Sequence, residues 1–453
     1  YLGRAYHMTT STSPNLSEVH IINTSDSAQS FTGTLFHKSG SQLGESDIAL
    51  HDGEVASQGR VILRSSDLER RFNESPWTGP AMLDVQSNNQ FELMSRLSRN
   101  GRVTNTNCVR TGDVHNVEGT ESSDVTYIRF INDGSTALSD IRGTLYDASG
   151  DPIGQSDTQF FDELGSREAI FLTGNTIRGK VGESWTGATS LVLSDSYEDL
   201  QLMNLNFVND ETFFNFSCFE RASEDNGSTS YLGRAYHMTT STSPNLSEVH
   251  IINTSNSALS FTGTLFHKSG SQLGESDIAL HEGIIAPQGR LILFNTDLEQ
   301  RFNEMPWTGP AMLDVRSSDQ FELMTRLSRN GRVTNTNCVR TGNVHNVEGT
   351  DSSDVTYIRF INDGSTTLSD IRGTLYDASG DPIGQSDTQF FDELGPREAI
   401  FLTGNTIRTK IGESWTGIAS LVLSETYTNL QLMNLNFVND ETFFNFSCYE
   451  TGK

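Results

Sequence analysis

Ten histidines, 58 acidic residues and four cysteines are the side chains of this 453-residue chain best suited to chemistry. The histidines divide evenly between the two halves, as His7, His20, His37, His51 and His115 and their counterparts. None stands at ligand spacing from another histidine or from a cysteine, which favours solvated or hydrogen-bonded rings over a metal centre. The neighbouring acids Asp162 and Glu163 are the kind of carboxylate pair that glycoside hydrolysis uses. Yet the pair recurs in the other half, and enzymes seldom carry a whole active site twice. No HExxH, GxSxG, GxGxxG or Walker-type pattern occurs. The chain is expected to have no catalytic residues.

Asp147-Ala148-Ser149-Gly150-Asp151, with its counterpart Asp377–Asp381, sets two carboxylates on a tight turn. That is a fragment of a calcium loop, but it lacks the DxDxDG spacing and the bidentate glutamate. A polar hairpin turn is the plainer reading, calcium the alternative, and no other cofactor is implied. The cysteines Cys108, Cys218, Cys338 and Cys448 fall one to each of four repeat units, so no bridge lies inside a unit. Pairing Cys108 with Cys218 and Cys338 with Cys448 is the economical arrangement. Buried free thiols and bridges between chains are the alternatives.

The repeats explain why the chemistry comes in copies. Tyr1 and Tyr231 open identical octapeptides, YLGRAYHM, and the two halves match at roughly nine positions in ten. Each half divides again. Tyr127–Gly154 (YIRFINDGSTALSDIRGTLYDASGDPIG) has a diverged relative at Val19–Gly44, and Cys108 and Cys218 end matching segments. The plan is A–B–A–B: residues 1–110 (A1), 111–222 (B1), a linker at 223–230, 231–340 (A2) and 341–453 (B2). Units of about 110 residues are large enough to bury a core of their own.

Within each unit, short strand-like runs alternate with turn signals. In A they include Glu18–Asn23, Ser30–Lys38, Gly59–Arg64, Ala81–Gln86, Gln90–Ser98 and Arg102–Val109, with Asn100-Gly101 as a hairpin turn. Val19 and Ile21 alternate with His20 and Ile22, as where one face is buried. Ser66 and Glu69 have capping-box spacing and predict a short helical turn to Phe72. In B, Ile128, Phe130, Leu145, Ile170, Leu191, Leu202 and Phe214 are expected inward, with Met203 and Met433 filling core gaps. Seven or so strands per unit argue an all-β chain of four antiparallel, immunoglobulin-like sandwiches. Trp77, Trp185, Trp307 and Trp415 each precede Thr-Gly and read as packing plugs, with a sugar-stacking platform as the alternative. The A-to-B junction, 110–123, looks polar but stiff, whereas Ala222–Ser230 (ASEDNGSTS) looks like a plain linker. A1 with B1 and A2 with B2 are therefore expected as semi-rigid pairs on a flexible joint.

The net charge of −27, with arginine as the main basic residue, repels phosphate backbones and argues against nucleic-acid partners. No apolar run reaches the length of a membrane span, and no signal-peptide core is present. Low lysine and rich Ser, Thr, Asn and Gly point to a secreted or cell-surface protein. Asn15, Asn23, Asn73, Asn215 and Asn226 begin glycosylation sequons.

A strand ending Phe-Ile-Asn, then GTLYDASGDPIG, a WTG and a closing FNFSC together resemble the tandem immunoglobulin-like repeats of secreted bacterial surface and adhesin-type proteins. The resemblance spans all four units and implies an extracellular scaffold. It carries over no catalytic residue. The expected function is a structural or adhesive one: a stalk, matrix component or filament subunit that self-associates into an array or fibre. The alternative is a tandem carbohydrate-binding protein that gains affinity for glycans by avidity. Leu2, Tyr6 and Met8 mark the extended segment Leu2–Thr9 as a candidate assembly strand for a neighbour's sheet edge. Function is expected where A and B differ and where the copies meet: the Asp147/His37 turn, the cysteines and Leu2–Thr9.

Overall fold

Alternating apolar residues build paired sheets throughout the chain. The structure, a computed structural model, describes residues 1–99, 102–107, 114–119, 126–208, 212–215, 217–224, 230–303, 306–329, 332–337, 339, 344–349, 356–438, 442–445, 447 and 450–451. Among these the strands form eight antiparallel sheets, none closed into a barrel. In A1 one sheet runs in the order Leu2–Met8, Ala81–Gln86, Thr32–Phe36, Gln42–Ala49. Facing it are Phe91–Arg99, Leu16–Asn23 and Arg60–Arg64, with Arg102–Asn105 paired to Phe91–Arg99. Val19, Ile21, Phe31, Leu35, Leu63, Leu83, Phe91 and Leu93 fill the space between. A2 repeats this arrangement.

In B1, Pro152–Leu164, Leu138–Tyr146, Gly187–Leu193 and Val114–Gly119 form one sheet. Ala169–Thr173, Thr126–Asn132, Leu200–Val208 and Thr212–Asn215 form the other. Ile128, Phe130, Leu145, Leu191 and Leu202 lie in the core, with Ile170 half-buried against it. The side chain of Phe214 lies outside the described residues. Val114–Gly119, read from its polar sequence as a junction, is instead an edge strand bonded to Gly187–Leu193.

A short helix closes one end of each sandwich. In A1 it spans Ser65–Phe72, two residues earlier than the Ser66/Glu69 pattern predicts. Asp67 Oδ2, not Ser66, receives the Arg64 amide at 3.1 Å. Glu69 turns away to accept the Ser11 amide and hydroxyl at 2.8 and 2.7 Å. The B1 helix, Gly174–Val181, is capped by Thr173, whose hydroxyl accepts from the Thr176 amide at 3.2 Å.

A buried asparagine ends the equivalent strand in every unit. Asn132 is fully buried, and its Nδ2 lies 2.7–3.0 Å from the carbonyls of Thr136, Leu164 and Gly165. Asn23 holds Ser27, Val55 and Ala56 in the same way at 2.8–2.9 Å. One side chain thus joins two connections that the backbone ladder leaves unpaired, which is why the strand ends Ile-Asn in all four units. It also leaves the Asn23 sequon without an accessible amide.

The chain divides into two compact units, Tyr1–Asn107 with Cys338–Lys453, and Cys108–Asn337. A1 therefore packs with B2, and B1 with A2, in place of the expected sequence neighbours. The segment read as a plain linker opens with structure: Ser223–Glu224 joins Tyr231–Met238, and Glu220–Arg221, just before the segment, joins the A2 strand Phe321–Arg329. Ala222, between them, is buried in the A2 core.

Candidate functional site

The face of A1 turned away from its own core is also buried. Strand alternation sends Val19 and Ile21 inward and leaves Glu18, His20 and Ile22 on the opposite face. His20 has no exposed surface there. Beside it Met94 packs against Val103 and against Ile418 of B2. In A2, Met324 packs against Val333 and against Phe219 from the end of B1. This second face is a seam between sandwiches, and it exists once in each compact unit.

Arg60 and Arg290 anchor the two seams. The Arg60 amide donates to the Ala378 carbonyl at 2.9 Å, and its Nη2 donates to the Ala419 carbonyl at 3.0 Å and the Ser420 hydroxyl at 2.6 Å. In the other unit the Arg290 amide donates to the Ala148 carbonyl at 2.9 Å. Its Nη2 meets the Thr189 carbonyl at 2.6 Å and the Ser190 hydroxyl at 2.9 Å. Ser190 and Ser420 have no exposed surface. Burying a guanidinium is costly unless its donors find acceptors, and in both units the same two acceptors receive Nη2.

The turn that docks is Asp147–Asp151 in B1 and Asp377–Asp381 in B2. The Asp147 carboxylate accepts the amides of Ser149 and Asp151 at 2.8 and 3.0 Å, so it shapes the turn. Among the described residues no cluster of three or more His, Cys, Asp or Glu is placed to hold a metal. Gly150 has φ +86°, and a Cβ there would stand 2.7 Å from the Pro287 carbonyl. At Gly380 it would stand 2.5 Å from the Ser57 carbonyl. Glycine is required twice over, by conformation and by closeness. The A-type turn differs: His37 folds back, its ring nitrogens 2.8 Å from the Ser39 hydroxyl and 2.9 Å from the Thr78 carbonyl.

A charged cluster lies behind each anchor. His20 Nε2 is 2.7 Å from Glu18 Oε1, and Arg96 reaches the same oxygen at 2.9 Å. Burial lowers the His20 pKa to about 4, against the opposing pull of the Glu18 hydrogen bond, with the Arg96 and Arg60 charges lowering it further. Burial opposes ionisation of Glu18, but its hydrogen bond to His20 and the charges of Arg96, His20 and Arg64 hold its pKa down to about 2. His250, Glu248 and Arg326 repeat the cluster in A2. Neutral His20 donates through Nε2 to an ionised Glu18.

The tail of each B unit completes the seam. Glu220 and Arg221 pair with Leu323 and Glu322; Glu450 and Thr451 pair with Leu93 and Glu92. Asn335 Nδ2 donates to the Cys218 carbonyl at 3.1 Å.

The remaining expected sites lie as follows. Cys218 is disulfide-bonded, while Cys108, Cys338 and Cys448 lie outside the described residues. Leu2–Met8 is the first strand of its own sandwich, bonded to Ala81–Gln86, with Met8 and Tyr6 buried and Leu2 half-buried. It stands at the edge of that sheet, so its ladder is bonded inside A1 on one side. All four tryptophans are 6–8% exposed. Trp77 Nε1 donates to the Met8 carbonyl at 3.3 Å, and Arg178 lies over Trp185 at 4.6 Å. Asp162 and Glu163 are successive residues of one strand and point to opposite faces, which keeps them from sharing a substrate. Met203 and Met433 are fully buried, and the equally buried guanidiniums of Arg129 and Arg359 lie over Phe171 and Phe401 at 5.4 Å. Sequence reasoning missed Arg60 and Arg290; their one signal was an arginine immediately before three apolar strand residues. In comparisons with known proteins, no family model and no curated sequence matches this chain.

Proposed function

We propose that the chain is a non-enzymatic structural repeat protein of the cell surface or extracellular space, serving as a stalk, matrix component or filament subunit. The observation that carries this reading is the seam made twice. Arg60 and Arg290 meet the same groups of a B sandwich in two separate units. Repetition of a contact, rather than of a cleft, suits a protein whose work is to join modules. A cleft in A1 lined by Ser17, Ser65, Glu18 and Arg64 has no histidine in its lining to activate a serine. The disulfide at Cys218 suits an oxidising compartment. Immunogold electron microscopy on the cells that make the protein tests the reading. Label on the cell exterior or its matrix is expected; label confined to the cytoplasm would overturn it.

A further inference from the structure

We propose that the seam between A1 and B2 is also made between two copies of this chain, with B2 of one copy docking on A1 of the next. The inference rests on the structural reading above and names the partner and the surface.

Three observations converge. First, the seam does not depend on how near the two sandwiches are in sequence. B1 and A2 are separated by the segment 222–230, A1 and B2 by Cys108–Asn337, yet Arg60 and Arg290 make the same contacts. Second, the two surfaces are unlike. A1 offers Arg60 and the Ser57 carbonyl, and B2 offers the Asp377–Asp381 turn and Ser420. Unlike surfaces make a heterologous contact, so pairing between copies extends head to tail. Third, B2 donates Glu450–Thr451 to Glu92–Leu93, the part of Phe91–Arg99 that Arg102–Asn105 leaves unpaired, and strand addition works between chains as well as within one. Exchange keeps every contact of the closed form and replaces only its partner. A row built this way repeats the B1–A2 seam at each join.

The test uses the full chain, unfolded with its disulfides intact and refolded at increasing concentration. Size-exclusion chromatography with light scattering reads the products. Wild type is expected to yield a ladder in multiples of 50.0 kDa that grows with concentration. Arg60→Glu disables the A1 surface and Gly380→Val the B2 surface; each variant alone should reduce the ladder about tenfold or more. Mixed, they retain one good A1 and one good B2, and should give a dimer that grows no further. Circular dichroism checks folding, with Arg60→Ala and Gly380→Ala as milder replacements. Monomeric wild type at every concentration, or a mixture without dimer, overturns the proposal and leaves the surface location to stand or fall by immunogold label. A ladder that persists in both single variants moves assembly to another surface and overturns this one.

Discussion

The guanidinium of Arg60 donates to the hydroxyl of Ser420 at 2.6 Å across 360 residues of sequence. Arg290 and Ser190 make the same bond at 2.9 Å across 100 residues. The surfaces therefore recognise each other independently of how far apart the chain places them.

Gly150 separates the turn's own needs from those of docking. Gly150→Ala places a Cβ 2.7 Å from the Pro287 carbonyl in addition to straining a φ of +86°. Gly182→Ala meets no atom within 4 Å, although its φ is +79°. The Gly182 change should cost about 1 kcal/mol of conformational strain. The Gly150 change should cost more and should also raise amide exchange at Arg290, whose N–H bonds to Ala148. Hydrogen-exchange mass spectrometry on both variants checks this; equal protection at Arg290 would remove the docking role.

Asn132→Ala should destabilise B1 by about 2–4 kcal/mol, because the carbonyls of Leu164 and Gly165 lose their side-chain donor. Asn132→Asp should do no better, since a carboxylate has no hydrogens to give those carbonyls. Urea unfolding, followed by exchange protection in Leu138–Tyr146, measures the loss. A change below about 0.5 kcal/mol, the range of ordinary surface substitutions, would contradict the role assigned to this side chain.

The seam clusters should make the fold acid-sensitive. The His20 pKa in the folded protein is about 4, below the ordinary histidine value of 6.5. Above pH 6.5 both folded and unfolded forms are neutral and the residue imposes no slope. As pH falls from 6.5 to 4 the unfolded chain takes up a proton that the folded one refuses, so stability falls. Glu18, with a folded pKa of about 2 against 4.5, adds a loss of the same sign as pH falls from 4.5 to 2. The groups facing His20 are Glu18 on its own strand, Arg96 on the neighbouring strand and Arg60 across it. His20→Gln combined with His250→Gln should flatten thermal stability between pH 6.5 and 4.5. An unchanged slope would place the sensitivity elsewhere.

Much of the architecture was legible in the residues. The all-β character, the alternation that buries Val19 and Ile21, and the inward set around Phe130 follow from local pattern. What escaped was of two kinds. Val114–Gly119 carries only two valines among polar residues, so edge pairing rather than periodicity decides its fate. The seam is longer-ranged still. Nothing near Arg60 announces a hydroxyl on another sandwich, and a buried arginine looks in sequence like any solvated one. The difference between the His37 and Asp147 turns did mark a place of interest, because only the second has the shape that docks.

The segment 222–230 has one further consequence. It joins B1 to A2 across a seam that A1 and B2 form without it. The order of the sandwiches along the chain is therefore interchangeable. A circular permutant that begins at Tyr231 and bridges Thr451 to Tyr1 with a second copy of that segment should acquire the same two seams. The covalent thread would be rewritten, and the pairing of surfaces that specifies the molecule would be unchanged.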